Sequence, residues 1–193
     1  MVRVATEADV PEILSIYAPY ILNTTVTFEY TVPTEEEFLA RFRAITARFP
    51  WLVWEEESRI LGYAYASAPF ERAAFGWCAE PSVYLHKDAR GRGIGSKLYA
   101  VLEEILRQQG FQLSLAIITD ENTASIRFHQ RCGYRENTVM ADCGFKFGRW
   151  LGITWMEKRL IPVEIPKDSP VFWPEFCHDA QRICNILDSL SLS

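Results

Sequence analysis

The sequence predicts a mixed α/β domain, in which strands and helices alternate along most of the chain. Short apolar runs bounded by turn residues are typical of strands. They alternate with segments whose apolar residues recur every three or four positions, as in amphipathic helices. The chain has 193 residues, of which 49% are hydrophobic and 23% are charged, so one domain with a sizeable core is expected.

The N-terminal part of the chain predicts a short strand, two helices and two further strands. Residues 2–5 form the first strand, and Thr6 then caps a helix by accepting a hydrogen bond from its first turn. A second helix begins at Thr34, which has a glutamate three residues later, as in a capping box. Strands follow at 51–55 and 60–66, joined by a polar turn.

The middle of the chain predicts a strand, a helix, a strand and a helix. A strand at 75–85 leads through a glycine-rich stretch into an amphipathic helix that Gly110 ends. The continuous apolar run at 113–118 is typical of a buried strand of the parallel type. The next helix spans 122–132, with Asn122 as its N-cap.

The rest of the chain predicts two more strands and a separate tail. The strands enclose a loop with Gly144 and Gly148, and the domain of residues 1–160 ends after them. The tail, residues 161–193, combines a proline-rich linker (Pro162, Pro166, Pro170 and Pro174) with a C-terminal amphipathic helix. The apolar face of that helix carries Phe176, Ala180, Ile183, Leu187 and Leu190. We expect it to dock on its own domain or on a partner subunit.

Composition and charge argue against several functions. The net charge of −5 disfavours nucleic acid, which binds to basic surfaces. No apolar run approaches the roughly 20 residues of a membrane span, and the N-terminus predicts a strand rather than a signal peptide. The five cysteines include no Cys-x-x-Cys pair and the three histidines do not cluster. We therefore predict no metal site, and reduced thiols in the cytoplasm.

A glycine-rich stretch predicts an anion site between a strand and a helix. Its residues are Arg90, Gly91, Arg92, Gly93, Ile94 and Gly95. Glycines let the backbone approach a ligand closely, and the first N–H groups of a helix lack partners and attract negative charge. The order Gly95-Ser96-Lys97 does not match a P-loop, and Ser96 stands where a dinucleotide fingerprint needs its third glycine. A diphosphate is expected here, and a glycine turn without a ligand is the alternative.

This loop and a second motif together resemble the GNAT superfamily of N-acetyltransferases. Arg-x-x-Gly-x-Gly after a strand resembles the loop that binds the pyrophosphate of acetyl-CoA, and the second motif is Asn122 followed by a helix that ends at Gly133-Tyr134. The resemblance covers residues 2–160. It implies the GNAT fold of acyl-CoA N-acyltransferases, with a central, mostly antiparallel sheet that is flanked by helices and opens in a V where coenzyme A inserts.

A closer resemblance is to the phosphinothricin and methionine sulfoximine acetyltransferase branch. The segments that carry it are 23–28, 50–53, 79–85, 125–129 and 146–150. It implies a homodimeric enzyme that transfers acetyl from acetyl-CoA to the amine of a small amino-acid-like acceptor by direct attack. The alternatives are another amine, namely a polyamine, an aminoglycoside or a protein N-terminus, and a non-catalytic sensor that binds coenzyme A.

Glu80 and His129 are the predicted catalytic residues. An amine attacks a thioester only when it is neutral, so a carboxylate near the carbonyl has to take its proton, and the departing thiolate gains from an acid. Glu80 matches the glutamate that is treated as the general base in the phosphinothricin branch. His129 stands where many superfamily members have a tyrosine, and it acts as an acid, binds an anionic substrate group or packs on its helix. Tyr84 is a weaker candidate for the acid.

The resemblance also assigns residues to the two substrates. For acetyl-CoA they are Val83, Tyr84, Leu85, Arg90, Gly91, Arg92, Gly93, Ile94, Gly95, Ser96, Asn122 and Arg131. For the acceptor they are Phe28, Tyr30, Pro69, Phe70, Lys146 and Arg149. The two cations pair with a carboxylate or phosphinate of the acceptor, or they lie in a solvated loop. Cys78 has no activating base beside it in the sequence, so an acetyl-cysteine route is not expected.

Overall fold

The structure is a computed structural model that describes residues 1–163, 165–166 and 168–191, with side chains up to Ser189. The strands are β1 (Val2–Val4), β2 (Trp51–Glu56), β3 (Arg59–Ser67), β4 (Cys78–Leu85), β5 (Leu113–Thr119), β6 (Arg135–Lys146) and β7 (Arg149–Arg159). The helices are α1 (Val10–Asn23), α2 (Glu35–Thr46), α3 (Ile94–Gln109), α4 (Thr123–Arg131), α5 (Trp173–Phe176) and α6 (Ala180–Ser191).

Seven strands form one sheet in the order β1-β2-β3-β4-β5-β7-β6. Neighbouring strands are antiparallel except β4 and β5, which run parallel, so the predicted mixed, mostly antiparallel sheet is confirmed. The parallel pairing predicted for β5 holds for one edge only, because its other edge pairs antiparallel with β7 along the whole strand. The continuous apolar run of β5 reflects burial on both faces rather than parallel pairing.

The parallel strands β4 and β5 separate soon after they meet. Backbone pairing joins Cys78 to Leu113 and Ala79 to Ser114. Beyond these pairs the two strands continue without pairing to each other, so the middle of the sheet opens in a V.

Helices cover both faces of the sheet. On one face α1 and α2 pack around the buried side chains of Ile13, Phe38, Trp51 and Tyr63. On the other face α3 buries its predicted apolar stripe, which consists of Ile94, Leu98, Val101, Leu102, Ile105 and Leu106. Full burial of one such side chain contributes about 1.5–3 kcal/mol, so the stripe holds the N-terminus of α3 firmly beside the V.

Two predicted helix caps form as expected. The Thr34 hydroxyl accepts a hydrogen bond from the Glu37 N–H at 3.2 Å, and the Glu37 carboxylate accepts one from the Thr34 N–H at 2.7 Å. Asn122 Oδ1 accepts from the Ser125 N–H at 3.2 Å. These caps satisfy N–H groups of the first turns of α2 and α4.

At Thr6 the hydrogen bonds run in the opposite direction from the prediction. The Thr6 hydroxyl donates to the Asp9 carboxylate at 3.1 Å, and the Thr6 N–H donates to the same group at 2.7 Å. A 3₁₀ turn, Glu7–Asp9, therefore precedes α1. Arg3 also donates to Asp9 at 2.8 Å, so the carboxylate, and not the hydroxyl, is the acceptor that organises this turn.

Two predicted boundaries differ from the structure. The strand predicted from residue 75 begins at Cys78, because Ala73–Phe75 form a 3₁₀ turn. Gly144 lies inside β6 and not in a loop, and a side chain there would clash with the ring of Phe28. Gly148 does lie in the turn, with a φ of 76° that favours glycine.

The tail packs on the domain. Helix α6 contacts α3, and the buried side chains of the tail join the core cluster around the α3 stripe: Trp173, Phe176, Ile183 and Ile186. Ala180 was expected on the buried face and is exposed, and Pro174, expected in the linker, lies in the first turn of α5. The side chain of Leu190 is outside the described part. The division of the chain at residue 160 stays a prediction. No helix among the described residues is long and apolar enough to cross a membrane.

Candidate active site

The V between β4 and β5 exposes backbone groups that no strand pairs. The Tyr20 hydroxyl of α1 donates to the Leu85 carbonyl at 2.7 Å and accepts from the Leu85 N–H at 3.3 Å, so the Leu85 backbone faces the V. Backbone groups alternate in direction along a strand, so Val83 turns its N–H and C=O the same way. The backbone of Pro81 also faces the V. The N–H that proline lacks is therefore not needed for a hydrogen bond to β3. Val83 therefore offers a donor and an acceptor to an extended ligand.

A cavity of about 590 Å³ lies at the mouth of the V, beside the glycine loop. Predicted coenzyme residues that line it are Val83, Leu85, Arg90, Gly91, Gly93, Gly95, Ser96, Asn122 and Arg131. Lining residues that were not predicted from the sequence are Tyr20, Thr24, Val26, Ala124, Ser125 and Phe128. Most of these lie in or beside the segments that carry the family resemblance, which is the signal that could have found them. Tyr20 has no such signal, because tertiary packing of α1 brings it to the loop.

The glycine loop has the shape of an anion cradle. Gly91 and Gly93 have φ values of 75° and 76°, and a side chain at either position would stand in open space. Helix α3 begins directly afterwards at Ile94, so its first N–H groups have no partners within the helix. The guanidinium of Arg90 lies 5.5 Å from the centre of the Tyr20 ring, at the edge of this space. The cradle fits a diphosphate.

Three predicted coenzyme residues do not direct their side chains into this cavity. Arg92 pairs with Glu56 at 2.8 Å, and the side chain of Ile94 is buried in the core. The Tyr84 ring packs edge-on against two tyrosines of α1, and burial raises the pKa of its hydroxyl well above the ordinary value. The Tyr84 hydroxyl therefore keeps its proton at neutral pH, and the backbone is what these three residues can offer.

Glu80 lies deeper in the V, between two smaller cavities of about 70 and 250 Å³. All three cavities share Val26 in their lining, so they adjoin one another. Burial raises the pKa of the Glu80 carboxyl above its ordinary value, and no cation pairs with it in the part of the chain that the structure describes. A carboxylate in this setting is suited to accept a proton from an ammonium group.

His129 lines the same small cavity as Glu80, but both of its ring nitrogens already have partners. Nδ1 lies 2.8 Å from the Ser125 carbonyl and 3.3 Å from the Ser125 hydroxyl, and Nε2 lies 3.0 Å from the Tyr99 hydroxyl. Burial lowers the pKa of the imidazole. A neutral His129 thus has no N–H free for a ligand, and any proton that it donates depends on the groups behind it.

Phe28 is the predicted acceptor residue that lines the cavity of about 250 Å³ with Glu80. Residues with a hydroxyl group in the same lining are Thr27, Tyr65, Ser67, Ser82, Tyr84 and Thr119. Tyr30, Pro69 and Phe70 do not line it. The Tyr30 hydroxyl donates to the Phe145 carbonyl, and the Phe70 ring stacks parallel to that of Trp155.

The two predicted acceptor cations already have protein partners. The Lys146 ammonium is buried and donates to the carbonyls of Thr24 at 2.9 Å and Thr27 at 2.7 Å. Arg149 pairs with Glu121 at 2.6 Å on the surface. Neither cation lines the cavities beside Glu80. In this structure Lys146 instead anchors residues 24–27, which form one wall of the V. The sequence around Lys146 resembles a loop and does not reveal this role.

Neither a metal centre nor an activated cysteine is found among the described residues. No three histidine, cysteine, aspartate or glutamate residues there form a group that could hold a metal ion. All five cysteines are free thiols, and burial raises the pKa of Cys78. A thiol that keeps its proton is a poor nucleophile, which argues against an acetyl-cysteine route.

A V-shaped sheet, a diphosphate cradle at its mouth and a carboxylate behind it, which no described cation pairs with, suit an enzyme that transfers an acyl group from coenzyme A. Comparisons with known proteins identify the family. The family described as acetyltransferase (GNAT) domain matches residues 2–155. The chain belongs to this family and is an acetyl-CoA-dependent N-acetyltransferase.

Relatives in the curated proteins and solved structures agree. A phosphinothricin N-acetyltransferase of Alcaligenes faecalis is 38% identical over 163 residues, which cover 82% of each chain. An L-methionine sulfoximine/L-methionine sulfone acetyltransferase of Pseudomonas paraeruginosa is 39% identical, over 83% of this chain and 95% of the relative. Among solved structures, a GNAT phosphinothricin acetyltransferase from Sinorhizobium meliloti in complex with AcCoA has 34% sequence identity and a TM-score of 0.85. The match covers 91% of this chain and 97% of the other.

Proposed function

We propose that the chain acetylates the amine of a small amino-acid-like acceptor, with acetyl-CoA as donor and Glu80 as the base. The names of two relatives support the acceptor class, and the acetyl-CoA bound in the Sinorhizobium meliloti structure supports the donor. The observation that carries the proposal is the position of Glu80, a half-buried carboxylate that pairs with no cation among the described residues, in a cavity that adjoins the diphosphate cradle.

Each part of the V has a separate task in this mechanism. Gly91, Gly93 and the first N–H groups of α3 hold the diphosphate, and Val83 bonds the extended arm through its backbone. Acetyl-CoA, when bound there, supplies an activated acetyl group as a thioester. Glu80 takes a proton from the acceptor ammonium, directly or through water, and frees the lone pair that attacks. Val26 and Phe28 form apolar wall around the reacting groups and exclude water.

The surroundings of Glu80 bear on the choice of acceptor. Among the described residues, the lining of its larger cavity includes several side chains that carry a hydroxyl, one carboxylate and no lysine or arginine. Hydroxyls can hydrogen-bond the polar groups of a sulfoximine, a sulfone or a phosphinate. Because the charge in this lining is negative, a cationic amine such as a polyamine or an aminoglycoside is the second candidate acceptor.

Release of free thiol from acetyl-CoA, measured over a panel of amines, tests the proposal. We expect turnover with phosphinothricin, methionine sulfoximine and methionine sulfone, and little with spermidine or an aminoglycoside. A preference for the cationic amines would instead support the second candidate. Binding of acetyl-CoA without thiol release from any amine would indicate a sensor.

The matched variants for Glu80 are Glu80→Gln and Glu36→Gln, the second at an exposed position in the first turn of α2. We expect Glu80→Gln to bind acetyl-CoA like the wild type and to lose about a hundredfold or more in kcat. The Glu36→Gln control keeps wild-type kcat. An equal kcat in all three proteins would remove Glu80 as the base.

We also propose that the chain works as a homodimer in the cytoplasm, with small molecules rather than nucleic acid as its partners. Strand β6 is an edge of the sheet and is exposed along nearly its whole length. Large exposed apolar side chains around it are Val139, Met140, Phe145, Phe147 and Trp150. An edge with unpaired backbone and apolar groups is suited to a second copy of the chain.

The free thiols fit a reducing compartment, and the net charge of −5 disfavours nucleic acid. Light scattering of Met140→Lys is expected to detect a monomer where the wild type is a dimer.

A further inference from the structure

Tyr20 of α1 occupies one end of the open edge of β4. Its hydroxyl accepts a hydrogen bond from the Leu85 N–H at 3.3 Å and donates one to the Leu85 carbonyl at 2.7 Å. A hydroxyl can do both, because it carries a hydrogen and two lone pairs. One side chain thus takes both backbone groups of Leu85, as a residue of a neighbouring antiparallel strand would. Leu85 is therefore closed to a ligand that pairs with the edge of the strand.

Pro81 limits the same edge at its other end. Residues 81, 83 and 85 turn their backbone groups into the V, because successive residues of a strand face alternate sides. Proline has no N–H, so position 81 offers a carbonyl alone. Of these three described residues, Val83 is the one that offers both a donor and an acceptor. Tyr20 and Pro81 enclose this position from either side.

The neighbours of Tyr20 hold its side chain in place. The ring packs edge-on against that of Tyr84, with 5.2 Å between the ring centres. The Tyr20 carbonyl accepts from the Thr24 hydroxyl at 2.6 Å, and the Thr24 carbonyl accepts from the buried Lys146 ammonium at 2.9 Å. The half-buried Tyr20 side chain lines the coenzyme cavity. Packing around the ring therefore keeps the hydroxyl at Leu85, in addition to its own two bonds.

The register of an arm along this edge decides where its thioester lies. Glu80 lies near the start of β4, Leu85 is its last residue, and the glycine loop follows. An extended arm pairs with a strand edge in steps of two residues, and one step is about 6.6 Å. A step from Val83 to Leu85 would move the thioester by that length away from Glu80 and toward the cradle. Such a complex would bind without reacting.

We propose that Tyr20 fixes the register of acetyl-CoA: its hydroxyl closes Leu85, so that the arm bonds at Val83 and the thioester stays beside Glu80. Tyr20 is a positioning residue, because it acts on the reaction through the placement of the donor. The inference rests on the proposed function, which has the arm in the V and the acceptor amine beside Glu80. It adds a residue of α1 to the parts of the enzyme that select the reactive complex.

Tyr20→Phe tests this role, because it removes the hydroxyl alone. The phenylalanine ring keeps the packing against Tyr84 and the contact with Arg90, whose guanidinium lies 5.5 Å from the ring centre. The N–H and carbonyl of Leu85 become open to the cavity, where water can bond them. We therefore expect the variant to fold, with a urea midpoint close to that of the wild type.

Steady-state kinetics with acetyl-CoA as the varied substrate give the main readout. A second binding mode that does not react lowers kcat and KM by the same factor and leaves kcat/KM unchanged. We expect both constants to fall by about two- to tenfold, since the slipped arm gains a pairing position of the same kind as the one it leaves. The dissociation constant of acetyl-CoA, measured by calorimetry, is expected to stay the same or to fall.

Tyr63→Phe is the matched control. Tyr63 belongs to the same group of packed tyrosine rings, with its ring centre 5.3 Å from that of Tyr84. It lines none of the three cavities of the V. This variant is expected to keep the wild-type kcat, the KM for acetyl-CoA and the dissociation constant.

Three results with Tyr20→Phe would overturn this role. Unchanged kcat and KM would show that the register does not depend on the hydroxyl. A KM or dissociation constant that rises would show that the hydroxyl supports binding only, and a kcat that falls at constant KM would give it a role in the reaction step itself. Each result leaves thiol release by the wild type intact, whereas failure of the proposed function is the lack of that release.

Discussion

Replacement of Lys146 by methionine distinguishes an anchor for the V from a ligand of the acceptor. The ammonium of Lys146 holds the carbonyls of Thr24 and Thr27 at 2.9 and 2.7 Å and is 1% exposed. Methionine fills a similar volume with a flexible side chain and has no donor. Lys146→Met therefore removes two hydrogen bonds and leaves two carbonyls without their donor.

The expected cost follows from these two bonds. A hydrogen bond to a charged group contributes about 1.5–3 kcal/mol, and release of the buried charge from its desolvation penalty offsets part of the loss. We expect the free energy of unfolding to fall by about 2–4 kcal/mol. The KM for acetyl-CoA also rises, because Thr24 and Val26 line the coenzyme cavity and lose their support.

Urea unfolding followed by tryptophan fluorescence measures the stability, and steady-state kinetics measure each KM. Arg149→Met is the matched control, since it removes the other predicted acceptor cation from an exposed ion pair and is expected to leave the urea midpoint close to that of the wild type. If Lys146→Met kept wild-type stability while only the KM for the acceptor rose, the anchoring role would be refuted. Lys146 would then be assigned to the acceptor site, as the family resemblance implies.

Three further predictions follow from individual residues. Gly93→Ala places a methyl group in the cradle and is expected to weaken the binding of acetyl-CoA, measured by calorimetry. Gly148→Ala is its control, because Gly148 has the same φ of 76° and its replacement causes the same backbone strain of about 1–2 kcal/mol. The control is expected to keep the wild-type affinity. Trp173→Ala is expected to lower the free energy of unfolding by about 3–5 kcal/mol in urea, and an unchanged midpoint would show that the tail does not stabilise the domain. The ascending limb of the profile of kcat/KM against pH is expected to give an apparent pKa above the usual range of a glutamate. The reason is that burial raises the pKa of Glu80 and only its ionised form accepts a proton. A limb that persists in Glu80→Gln would belong to another group.

The order of elements could be predicted because many of its signals act locally. The caps at Thr34 and Asn122 involve residues only three positions away, and Gly110 ends α3 through its own φ of 96°. Strand partners could not be predicted in this way. The apolar run of β5 shows burial on both faces, whereas its antiparallel pairing with β7 depends on a segment about forty residues away, whose position the global fold decides.

The same distinction between local and distant partners applies to the site. The residues of the glycine loop reach the cavity because the start of α3 fixes their positions. Lys146 is held by Thr24 and Thr27, which lie far away in the sequence, and no local pattern shows that its ammonium is buried. The role of Tyr20 beside Leu85 likewise depends on how α1 packs.

The V also divides the sheet into two halves, β1–β4 and β5–β7, whose strands pair at only two positions. A coenzyme arm bonded to Val83 takes the place of a missing neighbouring strand and ties the halves together. Amide hydrogens along the open edges, exchangeable in the free enzyme, then become protected. Because a ligand that binds only the folded state raises its stability, supply of the donor also sets how long each molecule resists proteolysis.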